Sequence, residues 1–141
     1  MRPTIIAASV LLPALLLLGG CAIVYSEAKV EISCDQFQDS RHARNEINLG
    51  VGDTVTIDLC SNPTTGFQWE ENPDISDSTV LKQTSHQLIS LGTDVPGQAG
   101  RDVWVFTTLK KGVSTVSFEY SQPWKGGMKS EWTYTLTVTV N

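Results

Sequence analysis

From residue 29 onward, hydrophobic and polar positions alternate along nearly the whole chain. In "DTVTIDL" Val55, Ile57 and Leu59 fall on one side and Thr54, Thr56 and Asp58 on the other. "VSTVSFEYS" does the same with Val116, Phe118 and Tyr120, and "WTYTLTVTV" sets Trp132, Tyr134, Leu136, Val138 and Val140 against threonines. A period of two puts successive side chains on opposite faces of an extended chain, so each stretch predicts a strand with one buried and one wet face. Shorter strand candidates are "KVEIS", "NEINL", "FQWEE", "STVLKQTS" and "RDVWVFTTL", separated by turn signals such as Leu49-Gly50-Val51-Gly52, Asn72-Pro73-Asp74 and Lys110-Lys111-Gly112. No window of a dozen residues carries an apolar face at helical spacing. Seven or eight strands at regular intervals predict an all-β chain folded as an immunoglobulin-like antiparallel β-sandwich, with a small closed barrel as the architectural rival. Its interior is expected to hold Val55, Ile57, Leu59, Phe67, Trp69, Val105, Phe118, Trp132, Leu136 and Val138.

The front of the chain breaks this pattern. Residues 1–20 carry one charge, Arg2, followed by the uncharged run "IIAASVLLPALLLLGG", which has the character of a secretory signal. Pro13 and the paired glycines interrupt it before the ~20 residues that a membrane span needs. Its end, Leu18-Gly19-Gly20-Cys21, resembles the bacterial lipobox, which implies that Cys21 is diacylated and becomes the first residue of the mature protein. An uncleaved anchor is the alternative. Residues 1–20 are thus read as a lipoprotein signal peptide, 21–28 as the lipidated cysteine and a tether, and 29–141 as the folded domain. The expected location is outside the cytoplasm, anchored by lipid to the periplasmic or cell-surface face of a bacterial envelope.

Removing residues 1–20 takes away Arg2 alone, leaving nine basic against fifteen acidic residues and a net charge of −6. An acidic surface without a Lys/Arg cluster argues against nucleic acid as a partner and against electrostatic docking on anionic lipid. With Cys21 committed to lipid, Cys34 and Cys60 remain as an even pair in an oxidising compartment, which predicts a disulfide. It would close a loop of about 26 residues and contribute roughly 3 kcal/mol in the chain-entropy view. A redox-active pair would need the Cys-x-x-Cys spacing that is missing here.

Three connections stand apart from the ordinary turns. The first, Asn62-Pro63-Thr64-Thr65-Gly66, joins two strands with residues that have little to bury; Pro63 fixes its own φ and Gly66 permits the left-handed region. The second, "LGTDVPGQAGRD", is long and rich in small residues, with Gly97 and Gly100 flanking Gln98-Ala99. The third, "SQPWKGGMKS", carries Pro123-Trp124 beyond the last alternating residue of its strand. Taken singly, each also reads as a well-made turn, a flexible link or a cap on the core. In a sandwich with strands numbered along the chain, all three can fall at one end, as the binding loops of immunoglobulin variable domains do.

In that order the three loops resemble those of the chagasin-type inhibitors of papain-like cysteine peptidases. The family's first loop is Asn-Pro-Thr-Thr-Gly and an aromatic, which Asn62-Pro63-Thr64-Thr65-Gly66-Phe67 matches throughout. Its second is Gly-x-Gly-Gly, met in part by Gly97-Gln98-Ala99-Gly100. Its third is Arg-Pro-Trp, where Gln122 replaces the arginine and Pro123-Trp124 agree. The resemblance covers residues 29–141 and implies a tight, reversible inhibitor that wedges these loops into the peptidase cleft. It places Thr64 near the catalytic Cys and His, lays Gly97 and Gly100 along one side of the cleft, and packs Trp124 on an aromatic beyond the scissile position. Ala99 and Gln122 are departures expected to alter target preference rather than abolish binding. The implied partner is a papain-like cysteine peptidase bound by a monomer, without cofactor.

The rival classes have less to stand on. His42 and His86 are the two histidines, neither in a metal-binding spacing, and no Ser-His-Asp or paired-carboxylate arrangement marks an enzyme. His86, in "KQTSHQLIS", reads as a surface strand residue. A structural or adhesive lipoprotein domain without inhibitory activity is the alternative function, because a sandwich by itself specifies none.

Overall fold

The computed structural model describes residues 20–90 and 99–141. The strands are β1 (Glu27–Ile32), β2 (His42–Leu49), β3 (Thr54–Ser61), β4 (Gln68–Trp69), β5 (Asp74–Ile75), β6 (Leu81–Ile89), β7 (Gly100–Thr108), β8 (Gly112–Ser121) and β9 (Trp132–Val140), with one helix, α1 (Cys34–Asp39), between β1 and β2. They form two packed sheets, one ordered β1-β3-β7-β6 and the other β2-β9-β8-β4, with β5 also pairing β8. β1 begins at Glu27, inside the stretch read as tether. Apart from Gly20, the predicted leader lies outside the described residues.

The sandwich architecture is as the alternation predicts, but its sheets are mixed rather than antiparallel. β1 runs parallel to β3, and β2 parallel to β9. The reason lies in the connections. β1 and β3 are separated by α1 and by β2 in the opposite sheet, and a crossover of that length lets two strands of one sheet point the same way.

Helix α1 is absent from the sequence reading because six residues fall below the length at which periodicity speaks. A local signal was present: Ser33-x-x-Gln36 forms a capping box, in which Gln36 N–H donates to Ser33 Oγ and Ser33 N–H donates to Gln36 Oε1 at 2.8 Å. The helix buries Phe37 completely. The Cys34–Cys60 disulfide, with Cα atoms 5.1 Å apart, ties α1 to the end of β3. Replacing both cysteines by serine is expected to lower stability by about 3 kcal/mol, read from the denaturant midpoint.

Most of the expected interior is buried: Val55, Ile57, Leu59, Trp69, Phe118, Leu136 and Val138, joined by Trp104, Phe106, Tyr120 and Tyr134. Phe67 and Trp132 are half-buried at its margin. Val105 is a correction: it faces outward, opposite Thr56 and Ser85, while its neighbours Trp104 and Phe106 fill the core. The run Val103-Trp104-Val105-Phe106 is apolar on both faces, so alternation leaves the register open there and the larger aromatics take the inner side. His86 lies on a strand as expected, but it is half-buried rather than fully at the surface. It stacks on Trp104 with centroids 4.7 Å apart, and its Nε2 lies 2.7 Å from Asp102 Oδ1.

Candidate functional site

Strand register decides where the three unusual loops emerge. Ser61 at the end of β3 pairs with Gly100 at the start of β7, and Gln68 at the start of β4 pairs with Ser121 at the end of β8. The first loop, residues 62–67, crosses from one sheet to the other between these two points. The second loop therefore leaves from its one flank and the third from its other. Helix α1 follows β1 at the same end, because Ile32 pairs with Leu59.

The first loop is rigid because its polar groups are satisfied within reach. The hydroxyl of Tyr120 grips the backbone of Asn62 on both sides, accepting from its N–H at 2.8 Å and donating to its carbonyl at 3.1 Å. That carbonyl also accepts from the Thr65 hydroxyl at 2.7 Å and the Thr65 N–H at 3.2 Å. Thr64 donates to Asn62 Oδ1 at 2.6 Å. Pro63 opens a single 3₁₀ turn (Pro63–Thr65) that closes on Gly66, whose φ of 81° favours glycine. Pro63, Thr64 and Thr65 are left exposed.

Beneath the loop lies a column of aromatics. Phe67 stacks on Tyr120 at 5.6 Å, Tyr120 on Trp132 at 4.7 Å, and Trp132 on Phe37 at 5.0 Å. Trp69 closes the group against Phe37 and donates its indole N–H to the Cys60 carbonyl at 2.9 Å. Part of this floor opens into an apolar notch of about 270 Å³ between α1 and the loop. Tyr120→Phe removes the grip on Asn62 and is expected to cost about 1–2 kcal/mol, seen as a lowered denaturant midpoint together with weaker inhibition.

The third loop is bound to itself in the same manner. Gln122 closes it twice: its N–H donates to the Met128 carbonyl at 2.8 Å, and its Oε1 accepts from the Met128 N–H at 2.9 Å. The Lys129 ammonium donates to the carbonyls of Gln122 and Trp124. Where the resemblance implies an arginine, this chain thus has a side chain turned back onto its own loop. Pro123 is exposed, and Trp124 is 50% exposed. Its ring lies over Gly66 so closely that a Cβ there would sit 2.7 Å from Cη2. The first and third loops are therefore packed together, and glycine at 66 answers both to its φ and to this contact. Beside them a cleft holds Glu70, Glu119 and Lys129. Burial, then the charges of Glu119 and Asp74, hold the Glu70 carboxyl above its ordinary pKa.

Of the second loop, Gly97 and Gln98 lie outside the described residues. Ala99 is half-buried against the core. Gly100 is buried in the first pair of β7, where a Cβ would come 2.5 Å from the Ile89 carbonyl oxygen, so glycine is required by the hairpin itself. Next to it, Arg101 is held to Asp58, with Nη1 2.8 Å from the carboxylate. Among the described residues no group of three or more His, Cys, Asp or Glu could hold a metal ion.

Comparison with known proteins gives this face its context. The chain matches the family described as Chagasin family peptidase inhibitor I42 over residues 48–138, a span that contains all three loops. The chain belongs to the chagasin family. This is a family of peptidase inhibitors, not of enzymes. Chagasin of Trypanosoma cruzi is 28% identical over an alignment of 106 residues that covers 71% of this chain and 93% of that protein. Two solved structures share the fold. The cysteine protease inhibitor EhICP2 from Entamoeba histolytica has a TM-score of 0.62 at 20% identity, covering 85% of this chain and all of that one. PbICP-C, solved in complex with falcipain-2, has a TM-score of 0.57 at 19% identity, covering 82% of this chain and 99% of its own.

Proposed function

We propose that this chagasin-family chain is a reversible, tight-binding inhibitor of papain-like cysteine peptidases that inserts its loop face into the catalytic cleft. The observation that carries the reading is the state of the first loop. Pro63, Thr64 and Thr65 are exposed, yet the loop's hydrogen bonds, its 3₁₀ turn and the Tyr120 grip fix its shape before any partner arrives. A preformed loop loses little conformational entropy on docking, so its contacts convert into affinity.

In this mechanism Thr64 approaches the catalytic Cys and His at the tip of the wedge. Asn62, Pro63, Thr65, Gly66 and Phe67 set its position. Trp124, carried over Gly66, covers an apolar surface on one side of the cleft, with Pro123 and Gln122 shaping its loop. Gly97, Gln98, Ala99 and Gly100 line the other side. The chain offers no electrophile, so inhibition is reversible. Acylation of Cys21, which is exposed and free, would hold the domain on the outer side of a bacterial membrane. The T. cruzi relative and the falcipain-2 complex of PbICP-C support a cysteine peptidase as partner.

Titration of papain with the purified chain tests the reading. The expected result is competitive inhibition, with KM raised and kcat unchanged, recovery of activity on dilution, and no effect on a serine peptidase. Unchanged papain kinetics at micromolar chain would reject it.

A further inference from the structure

We infer that the end of the sandwich opposite the loops is a lipid-contact surface, which rests on the bilayer and turns the loop face away from it. The inference rests on the reading of Cys21 as the acylated residue. Of the nine large hydrophobic residues exposed among the described ones, six lie toward this end: Ile23, Val24, Tyr25, Val51, Leu109 and Val113. Trp124 and Met128 belong to the third loop, and the ninth, Leu88, is on the edge strand β6. Single exposed apolar residues are ordinary on a protein surface, whereas a concentration of them at one pole marks a contact.

Their placement follows from the register. Glu27 pairs with Thr54, so the chain enters at the start of β3, the end farthest from the first loop. Val51 sits in the β2–β3 turn, Leu109 follows β7, and Val113 is the second residue of β8. The segment bearing Ile23 to Tyr25 is fastened here. Ser26 N–H donates to Asp53 Oδ1 at 2.7 Å, and Thr54 N–H donates to the Ser26 carbonyl at 3.0 Å. The Tyr25 ring lies against Gly52 and leaves no room for a Cβ there.

Two facts favour a bilayer over a protein as the occupant. Ile23, Val24 and Tyr25 follow directly on Cys21 and Tyr25 packs beside the β2–β3 turn that carries Val51, so the acyl chains of Cys21 would enter the membrane next to this surface. The nearby charges also offset one another, Lys82, Lys110 and Lys111 against Glu27, Asp53 and Asp77, so the attraction is apolar, with Tyr25 suited to a boundary that is oily on one side and wet on the other. The eight residues of β3, rising about 3.3 Å each, then hold the loops roughly 25 Å above the lipid surface. At that height the face is open to soluble peptidases.

The test uses the full chain produced in a bacterium, with acylation of Cys21 read by mass, and reconstituted into vesicles of phosphatidylethanolamine and phosphatidylglycerol. A spin label is placed at Val113→Cys, with Leu109→Cys as a second reporter and Lys125→Cys in the third loop as the control. The labels at 113 and 109 are expected about 5–10 Å deep at the headgroup boundary, shielded from a nickel chelate, and the label at 125 in water. Labels at 113 and 109 as open to the chelate as 125 would overturn the inference, as would a chain that stays off the vesicles. Dipolar broadening between labels at 113, showing that a second copy covers this end, would overturn it too. Papain inhibition by the same vesicles reports separately on the loops: retained inhibition with labels in water rejects the lipid contact and leaves the inhibitor reading standing.

Discussion

Thr64→Arg is expected to weaken inhibition of a papain-like peptidase by about 100-fold or more, a loss of roughly 3 kcal/mol. Thr64 sits at the exposed tip of the first loop, where its hydroxyl bonds back to Asn62 Oδ1. A cleft that accepts this small, folded-back side chain has no space for a guanidinium on three methylenes, and a buried charge without a partner adds to the clash. The same change leaves the fold intact, because the position is solvent-exposed and its bond to Asn62 lies within the loop. Inhibition constants alongside melting temperatures separate the two effects. A parallel fall in melting temperature would mean that the loop, rather than the contact, had been lost.

Trp124→Ala is the second large effect, expected to raise the inhibition constant by about 30-fold, or roughly 2 kcal/mol, chiefly through faster dissociation. Half of the Trp124 surface is exposed in the free protein, yet its ring is already fixed over Gly66. An anchor held in its docking position loses little rotamer freedom on binding, and that is where its contribution arises. Stopped-flow measurement of the off-rate against the same peptidase checks this. An unchanged off-rate would place Trp124 outside the contact.

The sheets were legible because period-two alternation is a long, repeated signal, and the strands around Val55, Phe118 and Leu136 could be read directly from it. Val105 was not legible: where valines flank tryptophan and phenylalanine, both faces of the strand are apolar, and only packing against the other sheet chooses between them. Helix α1 was too short for periodicity, although Ser33 and Gln36 spelled its cap. The parallel pairing of β1 with β3 and of β2 with β9 depends on which sheet each strand joins, and alternation carries no information on that. At the loop face, the motif at 62–67 named the tip but not what holds it. The Tyr120 hydroxyl acts from 58 residues away, and no local pattern announces such a contact. Gly100 shows the converse: the sequence offered it as a surface glycine, while its close approach to the Ile89 carbonyl makes it a requirement of the hairpin.

The central claim is that the first loop occupies the catalytic centre, and disulfide trapping tests it most directly. A Cys21→Ser chain carrying Thr64→Cys, activated as its pyridyl disulfide, is mixed with papain. Attack by the catalytic thiolate on the sulfur at position 64 displaces thiopyridone and leaves a mixed disulfide. One covalent adduct per enzyme is predicted, mapped by mass to position 64 and the catalytic cysteine, with none from the same reagent at Thr79→Cys, toward the far end of the sandwich. No adduct at 64, or equal trapping at 79, would contradict it.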